Sequence, residues 1–186
     1  MEIIETDIPD LVIVKNRLFS DARGYFTEAY NKGEFERNGI KIDFVQDNRS
    51  KSSYGVVRGL HFQLNPQSQT KLVSCVLGKV YDVAVDIRRG SPTYGKWFGV
   101  ELSEENNLQF LIPQGFAHGF SVLSETAVFS YKCDNFYAPA LEGGISYDDP
   151  ALNIDWHLPK EHIIRSEKDM HHPLLKDVKT NFVYKK

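Results

Sequence analysis

The sequence predicts an all-β domain, a sandwich or barrel with a few short helical turns near its C-terminus. Three observations carry that reading. Short strand-like runs separated by turn signals recur at roughly 8–12 residue spacing. Aromatic residues are plentiful, with 12 Phe, 9 Tyr and 2 Trp, and such residues fit a half-buried pleated surface. Residues 80–87 alternate strictly. Tyr81, Val83, Val85 and Ile87 fall on one face and Asp82, Ala84 and Asp86 on the other, the pattern of a strand with one face in the core.

The elements follow in order. Residues 11–15 form a first strand and 24–30 another. Residues 31–39 hold a short helix that Gly39 stops. Residues 43–48 are extended again. The clearest hairpin joins 71–76 to 80–87 through Leu77-Gly78-Lys79. Segments 97–102, 109–112, 120–123 and 127–133 continue the strand pattern. Residues 159–164 and 166–170 read as helical turns, and Ser166 with Asp169 resembles a capping box. No repeat or linker divides the chain, so residues 1–186 are expected to form one domain.

Composition excludes several classes. Lys and Arg number 22 against 25 Asp and Glu, a net charge of −3, which gives no general attraction to nucleic acid or to an anionic membrane. No apolar run approaches the roughly 18 residues of a membrane helix. Residues 1–7 are acidic and lack the apolar core of a secretory signal. Cys75 and Cys133 are too few for a disulfide scaffold and do not form a Cys-x-x-Cys pair. A soluble cytoplasmic protein is expected.

Several side chains could carry chemistry. Arg58 and His61 fall on opposite faces of a strict strand, but Gly59 between them marks a bulge that would bring both to one side. Gln46 and Asn48 share a strand face, either as an exposed edge or as amides aimed at a polar ligand. Lys71 lies on the face of Val73 and Cys75, where an ammonium needs an anion, a wet site or a route to solvent. His118 follows the tight turn Pro113-Gln114-Gly115 and is flanked by apolar residues. Each histidine alone also reads as a satisfied core residue. Tyr131 and Tyr137, six apart, are either aromatic core or phenols that offer a proton donor and a stacking platform. Metal-ligand spacing is missing: there is no His-x-His pair, and His171 and His172 are adjacent and so divergent.

In their order along the chain these stretches resemble the dTDP-4-dehydrorhamnose 3,5-epimerase family. The resemblance runs through Asp21-Ala22-Arg23-Gly24-Tyr25-Phe26, Val45-Gln46-Asp47-Asn48 and Arg58-Gly59-Leu60-His61. It continues in Gly78-Lys79-Val80-Tyr81-Asp82-Val83-Ala84-Val85-Asp86-Ile87-Arg88 and in Ile112-Pro113-Gln114-Gly115-Phe116-Ala117-His118-Gly119-Phe120. It ends in Tyr131-Lys132, Asn135-Phe136-Tyr137-Ala138-Pro139, Asp148-Asp149-Pro150, Ser166-Glu167-Lys168-Asp169 and Leu174-Leu175. The resemblance implies a cupin-type jelly roll with its core at about 45–140, a homodimer that exchanges N-terminal strands, and no metal or organic cofactor. It lends His61 the part of general base, Asp169 that of its orienting partner, Tyr131 that of the acid on the opposite face of the sugar, and Lys71 that of the cation beside the keto oxygen. Arg23, Phe26, Glu28, Gln46, Asp47, Asn48, Arg58, His118, Glu142 and Lys168 match substrate-binding positions, and Tyr137 matches the residue that stacks on thymine. Phe136 and Cys133-Asp134 depart from the family pattern.

The implied substrate is a dTDP-linked 4-keto-6-deoxy sugar. Inverting C3 and C5 removes a proton beside the C4 carbonyl on each side. The carbanion persists only as an enolate, whose oxygen a fixed cation stabilises. Imidazole suits the base because it titrates near neutral pH. Inversion then needs an acid on the other face. A mono-epimerase acting at C3 or C5 alone, a metal-dependent cupin and a non-catalytic sugar-binding jelly roll are the competing readings.

Overall fold

Two antiparallel sheets face each other in a computed structural model that describes residues 1–185. The N-terminal part holds β1 (Glu2–Glu5), β2 (Val12–Lys15), the hairpin β3 (Leu18–Asp21) and β4 (Gly24–Thr27), and helix α1 (Lys32–Arg37). Next come β5 (Gln46–Ser53), β6 (Val57–Gln63), β7 (Lys71–Leu77), β8 (Lys79–Asp86) and β9 (Trp97–Ser103). The last strands are β10 (Leu108–Ile112), β11 (Phe116–Val122), β12 (Thr126–Cys133) and the short β13 (Glu142–Gly144). One sheet runs β1-β2-β10-β7-β12-β5 and the other β13-β6-β11-β8-β9, the two layers of a jelly-roll sandwich. Hairpin β3–β4 is a separate two-stranded sheet.

The main core lies between the sheets. Val73, Cys75, Phe110, Ile112, Ala127 and Phe129 from one meet Val80, Ala84, Leu102, Phe116, Phe120 and Val122 from the other. The outer face of the five-stranded sheet is covered as well. Val57, Leu60, Phe62, Val83, Val85 and Ile87 pack against Ile145, Leu152, Trp156 and Phe182 of the C-terminal segment. Helix α1 puts Phe35 on the outer face of the six-stranded sheet, beside Val14, Leu72 and Leu111. Its start is the expected one: the Asn31 side chain accepts the Glu34 N–H at 3.2 Å. The C-terminal turns are 3-10 helices, Lys160–His162 and Lys168–His171, and the Ser166 hydroxyl accepts the Asp169 N–H as the capping pattern predicts.

Two expectations need correction. Strands β7 and β8 do not form a hairpin. β7 pairs with β10 and β12, while β8 pairs with β11 and β9 in the opposite sheet. Leu77-Gly78-Lys79 is therefore a corner between layers. Gly78 has a φ of 73°, and a Cβ there would meet the Thr126 carbonyl oxygen at 2.1 Å, so the chain turns tightly against β12. Nor does β8 show one face to solvent. Both of its faces are covered, and Asp82 and Asp86 are fully buried. Asp86 is satisfied by Arg88, Ser91 and Thr93, and Asp82 by His118.

The bulge at Gly59 is present. His118 of β11 opposes His61 while Phe120 opposes Arg58, so two residues of β6, Gly59 and Leu60, face the single Gly119. Gly59 has a φ of 124°, and a Cβ on it would lie 2.5 Å from the Gly119 Cα. Gly59→Ala should therefore destabilise the fold by about 2–4 kcal/mol. A shift of the urea midpoint at unchanged m-value checks this; an unshifted midpoint contradicts it.

Candidate functional site

The bulge turns His61 and Arg58 to a common cavity of about 320 Å³, which Glu142, Lys168 and Asp169 also line. Two contacts fix the Asp169 carboxylate there. His61 Nε2 lies 2.7 Å from its Oδ1, and the Gly59 N–H donates to Oδ2 at 3.3 Å. Burial acts to raise the Asp169 pKa, but the hydrogen bond and charge of His61 outweigh it and hold the carboxyl below the usual range. An ionised carboxylate only accepts, so His61 carries its proton on Nε2. In the neutral form of the ring, Nδ1 is left with a free lone pair.

Register puts His118 beside His61 on β11, facing the inter-sheet space. His118 Nε2 reaches both Asp82 oxygens, at 3.0 and 2.9 Å. Burial dominates this pair. It pushes the His118 pKa down and that of Asp82 up, each partly offset by the other. Sequence reasoning did not single out Asp82 as a partner for His118. Its signal was an acid sharing a strand face with Ala84 and Val80.

The opposite sheet supplies the other half. Lys71 opens β7 on the face of Val73 and Cys75, both buried in the inter-sheet core. Its ammonium lies 5.9 Å from the Tyr131 ring centroid. Burial lowers the Lys71 pKa, while Cys133, Asp82 and Glu142 act in the other direction. Tyr131 of β12 sits in line with Phe129 and Cys133 and packs against the core. Burial raises its pKa, so the phenol keeps its proton through the neutral range. An imidazole from one sheet, and an ammonium and a phenol from the other, thus share the inter-sheet side of the sandwich.

A polar rim surrounds this centre. The Gln46 amide donates to Asn48 Oδ1 at 3.1 Å and accepts the Tyr137 N–H at 3.0 Å. Asn48 reaches the Cys133 sulfur at 3.7 Å. Glu142 accepts the Tyr137 hydroxyl at 2.6 Å and pairs with Lys168 at 2.5 Å. Arg58 donates to the Ser52 hydroxyl at 3.1 Å.

Four of the expected site residues lie elsewhere in the single chain. Asp47 points away from Gln46 and Asn48, as alternation requires, and pairs with Lys132 at 2.9 Å. Arg23 and Phe26 belong to the β3–β4 hairpin, which is hydrogen-bonded to neither large sheet. Arg23 is held by Asp21, and the Phe26 ring is 68% exposed. Glu28 lines a different cavity, with Asn16, Phe19 and Asn31. One residue is gained. His172 turns inward onto Asp169 while His171 turns out to Glu167, so neighbouring histidines that diverge still deliver one to the site.

Comparison with known proteins places the chain in a family. Residues 5–177 match the family model described as dTDP-4-dehydrorhamnose 3,5-epimerase. The chain is 54% identical over 171 residues to the Shigella flexneri dTDP-4-dehydrorhamnose 3,5-epimerase, covering 91% of this chain and 93% of that protein. The crystal structure of dTDP-4-dehydrorhamnose 3,5-epimerase from Elizabethkingia anophelis superposes with a TM-score of 0.91 at 56% identity, covering 95% of this chain and 97% of that one. The dTDP-6-deoxy-D-glucose-3,5-epimerase of Legionella pneumophila, solved with dTDP-4-keto-L-rhamnose, gives 0.92 at 50% identity, covering 96% and 94%. With the family model spanning nearly all of its length and relatives at this identity, the chain belongs to the dTDP-4-dehydrorhamnose 3,5-epimerase family of isomerases.

Proposed function

We propose that this chain inverts C3 and C5 of dTDP-4-keto-6-deoxy-D-glucose through enolates, with His61 as base and Tyr131 as acid. The observation that carries the reading is the His61–Asp169 pair, which joins β6 to the C-terminal 3-10 turn, with Lys71 and Tyr131 on the inter-sheet face of the other sheet. Nδ1 of His61 takes the proton from the carbon beside the ketone, and Asp169 stabilises the imidazolium. Negative charge then gathers on the C4 oxygen, where the Lys71 ammonium offsets it. The Tyr131 phenol returns a proton from the other face. Arg58, Gln46, Asn48, Glu142 and Lys168 hold the nucleotide diphosphate sugar, and Tyr137 offers its ring to the base. Remote binding of this kind positions the reacting carbons against Nδ1. Incubating the protein with the D-gluco substrate and reading ring proton couplings by NMR tests the activity. The expected product is dTDP-4-keto-L-rhamnose, and an unchanged substrate overturns the reading.

Lys71 sets the alkaline limit. Because burial depresses its pKa, the alkaline limb of the kcat profile should lie below the ordinary lysine value of about 10.4. Lys71→Arg keeps its charge at all these pH values and should move that limb up by about one unit or more. A kcat profile with an unmoved limb contradicts the assignment.

The protein works as a homodimer in the cytoplasm on this reading. Phe19, Tyr25 and Phe26 on the β3–β4 hairpin are 50%, 52% and 68% exposed, an aromatic surface that suits a second copy. The hairpin of that copy would bring its Arg23, Phe26 and Glu28 to the rim. Two buried free cysteines suit a reducing compartment, and no helix among the described residues is long and apolar enough to cross a membrane. Sedimentation should find a dimer. Arg23→Ala should raise KM about tenfold with kcat nearly unchanged, as loss of uniform binding does. A monomer with full activity contradicts both.

A further inference from the structure

Behind His61, on the side away from its free Nδ1, three donors converge. His61 Nε2, an Asp169 oxygen and a His172 nitrogen all lie within 4.8 Å of one another. The His172 side chain is only 10% exposed. Its Nε2 is fully buried with no hydrogen-bond partner among the described residues, and it points at Asp169 Oδ1 from 3.4 Å. A buried imidazole nitrogen without a partner is costly, and here it is aimed at a carboxylate that already holds a second imidazole. The ring is seated firmly. It lies so close to Gly144 that a Cβ there would meet its Nε2 at 2.4 Å, and the Ser146 N–H holds the next residue, Pro173, through its carbonyl at 2.8 Å.

The geometry points to a binding site for a divalent transition-metal ion, Zn²⁺ by donor set, formed by His61, Asp169 and His172, whose occupation switches the base off. Two imidazoles and a carboxylate suit Zn²⁺, with a fourth position left for water. Tetrahedral bonds of about 2.0–2.1 Å put neighbouring donors about 3.3 Å apart. The His172–Asp169 separation of 3.4 Å already fits. The His61–Asp169 contact of 2.7 Å must open by roughly half an ångström to reach that spacing, and His61, at 29% exposed, borders the open cavity. The surrounding charges are tolerable. Lys168 is paired with Glu142, and Arg58 is turned to Ser52. Adjacent His171 faces out to Glu167 and takes no part.

Inhibition follows from proton bookkeeping. The ion takes the Nε2 lone pair of His61, and the proton that sat on Nε2 moves to Nδ1. The neutral ring survives as the other tautomer, with no lone pair left for a carbon proton. The diphosphate and nucleotide contacts are not covered. Zn²⁺ should therefore lower kcat while dTDP still binds. This consequence rests on the reading of His61 as the base, whereas the binding of the ion does not.

Titration of the chelator-treated protein with ZnCl₂ in a calorimeter tests the site. One ion per chain is expected. Co²⁺ in its place should give visible d–d absorption. His172→Ala should weaken binding by about tenfold or more, abolish the Co²⁺ spectrum and raise the Zn²⁺ concentration needed for half-inhibition by the same factor, each read against the variant's own zinc-free turnover. His172→Gln serves if the alanine variant is unstable, and His171→Ala should change nothing. No saturable binding, or binding untouched by both His172 variants, overturns the site. Binding with the expected spectrum but undiminished deuterium exchange at the sugar would leave the site standing and remove His61 as the base.

Discussion

His61→Ala stops deuterium entry at both C3 and C5 of the keto sugar in heavy water. Turnover falls on the order of 10³-fold, within the range that a positioned general base supplies. One imidazole is expected to serve both carbons, because C3 and C5 flank the same carbonyl and His61 is the one histidine among the described residues that both meets a carboxylate through Nε2 and lines this cavity. His118 is no substitute, since its side chain is only 8% exposed, against 29% for His61. Asp169→Asn should cost nearly as much. The amide can present an N–H to Nε2, which favours the wrong tautomer, and it carries no charge for the imidazolium. NMR of substrate recovered from deuterated buffer measures both variants. Exchange at wild-type rates in His61→Ala would remove the base from the account.

Tyr131→Phe separates deprotonation from inversion. The variant keeps the ring that lies 5.9 Å from the Lys71 ammonium and loses only the hydroxyl. Proton removal by His61 continues, so deuterium still enters the sugar. With no acid on the far face, the enolate regains its proton from the side it left, and substrate returns labelled but uninverted. Net product formation should drop about 10²–10⁴-fold. The same NMR sample reports both quantities. Loss of exchange and inversion together would make the phenol part of enolate formation and contradict a pure acid role.

The sequence made the strands legible because alternation is local, but not their partners. Residues 80–87 read correctly as a strand, yet Leu77-Gly78-Lys79 looked like a hairpin turn and is a corner between sheets. Turn residues report a tight reversal and not which layer the chain enters next. The bulge at Gly59 was readable, since a lone glycine between two polar residues of a strand needs a reason. Asp47 shows alternation outweighing motif membership: a residue between Gln46 and Asn48 on a strand must face the other way. Asp82 was hidden because an acid on a regular strand looks solvated until a second layer covers it. His172 was hidden for the same kind of reason. Adjacent residues diverge, and only the 3-10 turn at Lys168–His171 decides which of the two turns inward.

The central claim is that one base and one acid, on opposite sheets, act on both carbons beside the ketone. Incubation of the unaltered protein with dTDP-4-keto-6-deoxy-D-glucose in heavy water, followed by NMR of the product, tests it most directly. The account predicts an L-configured ring with deuterium at C3 and at C5. Deuterium and inversion at one carbon alone would contradict it.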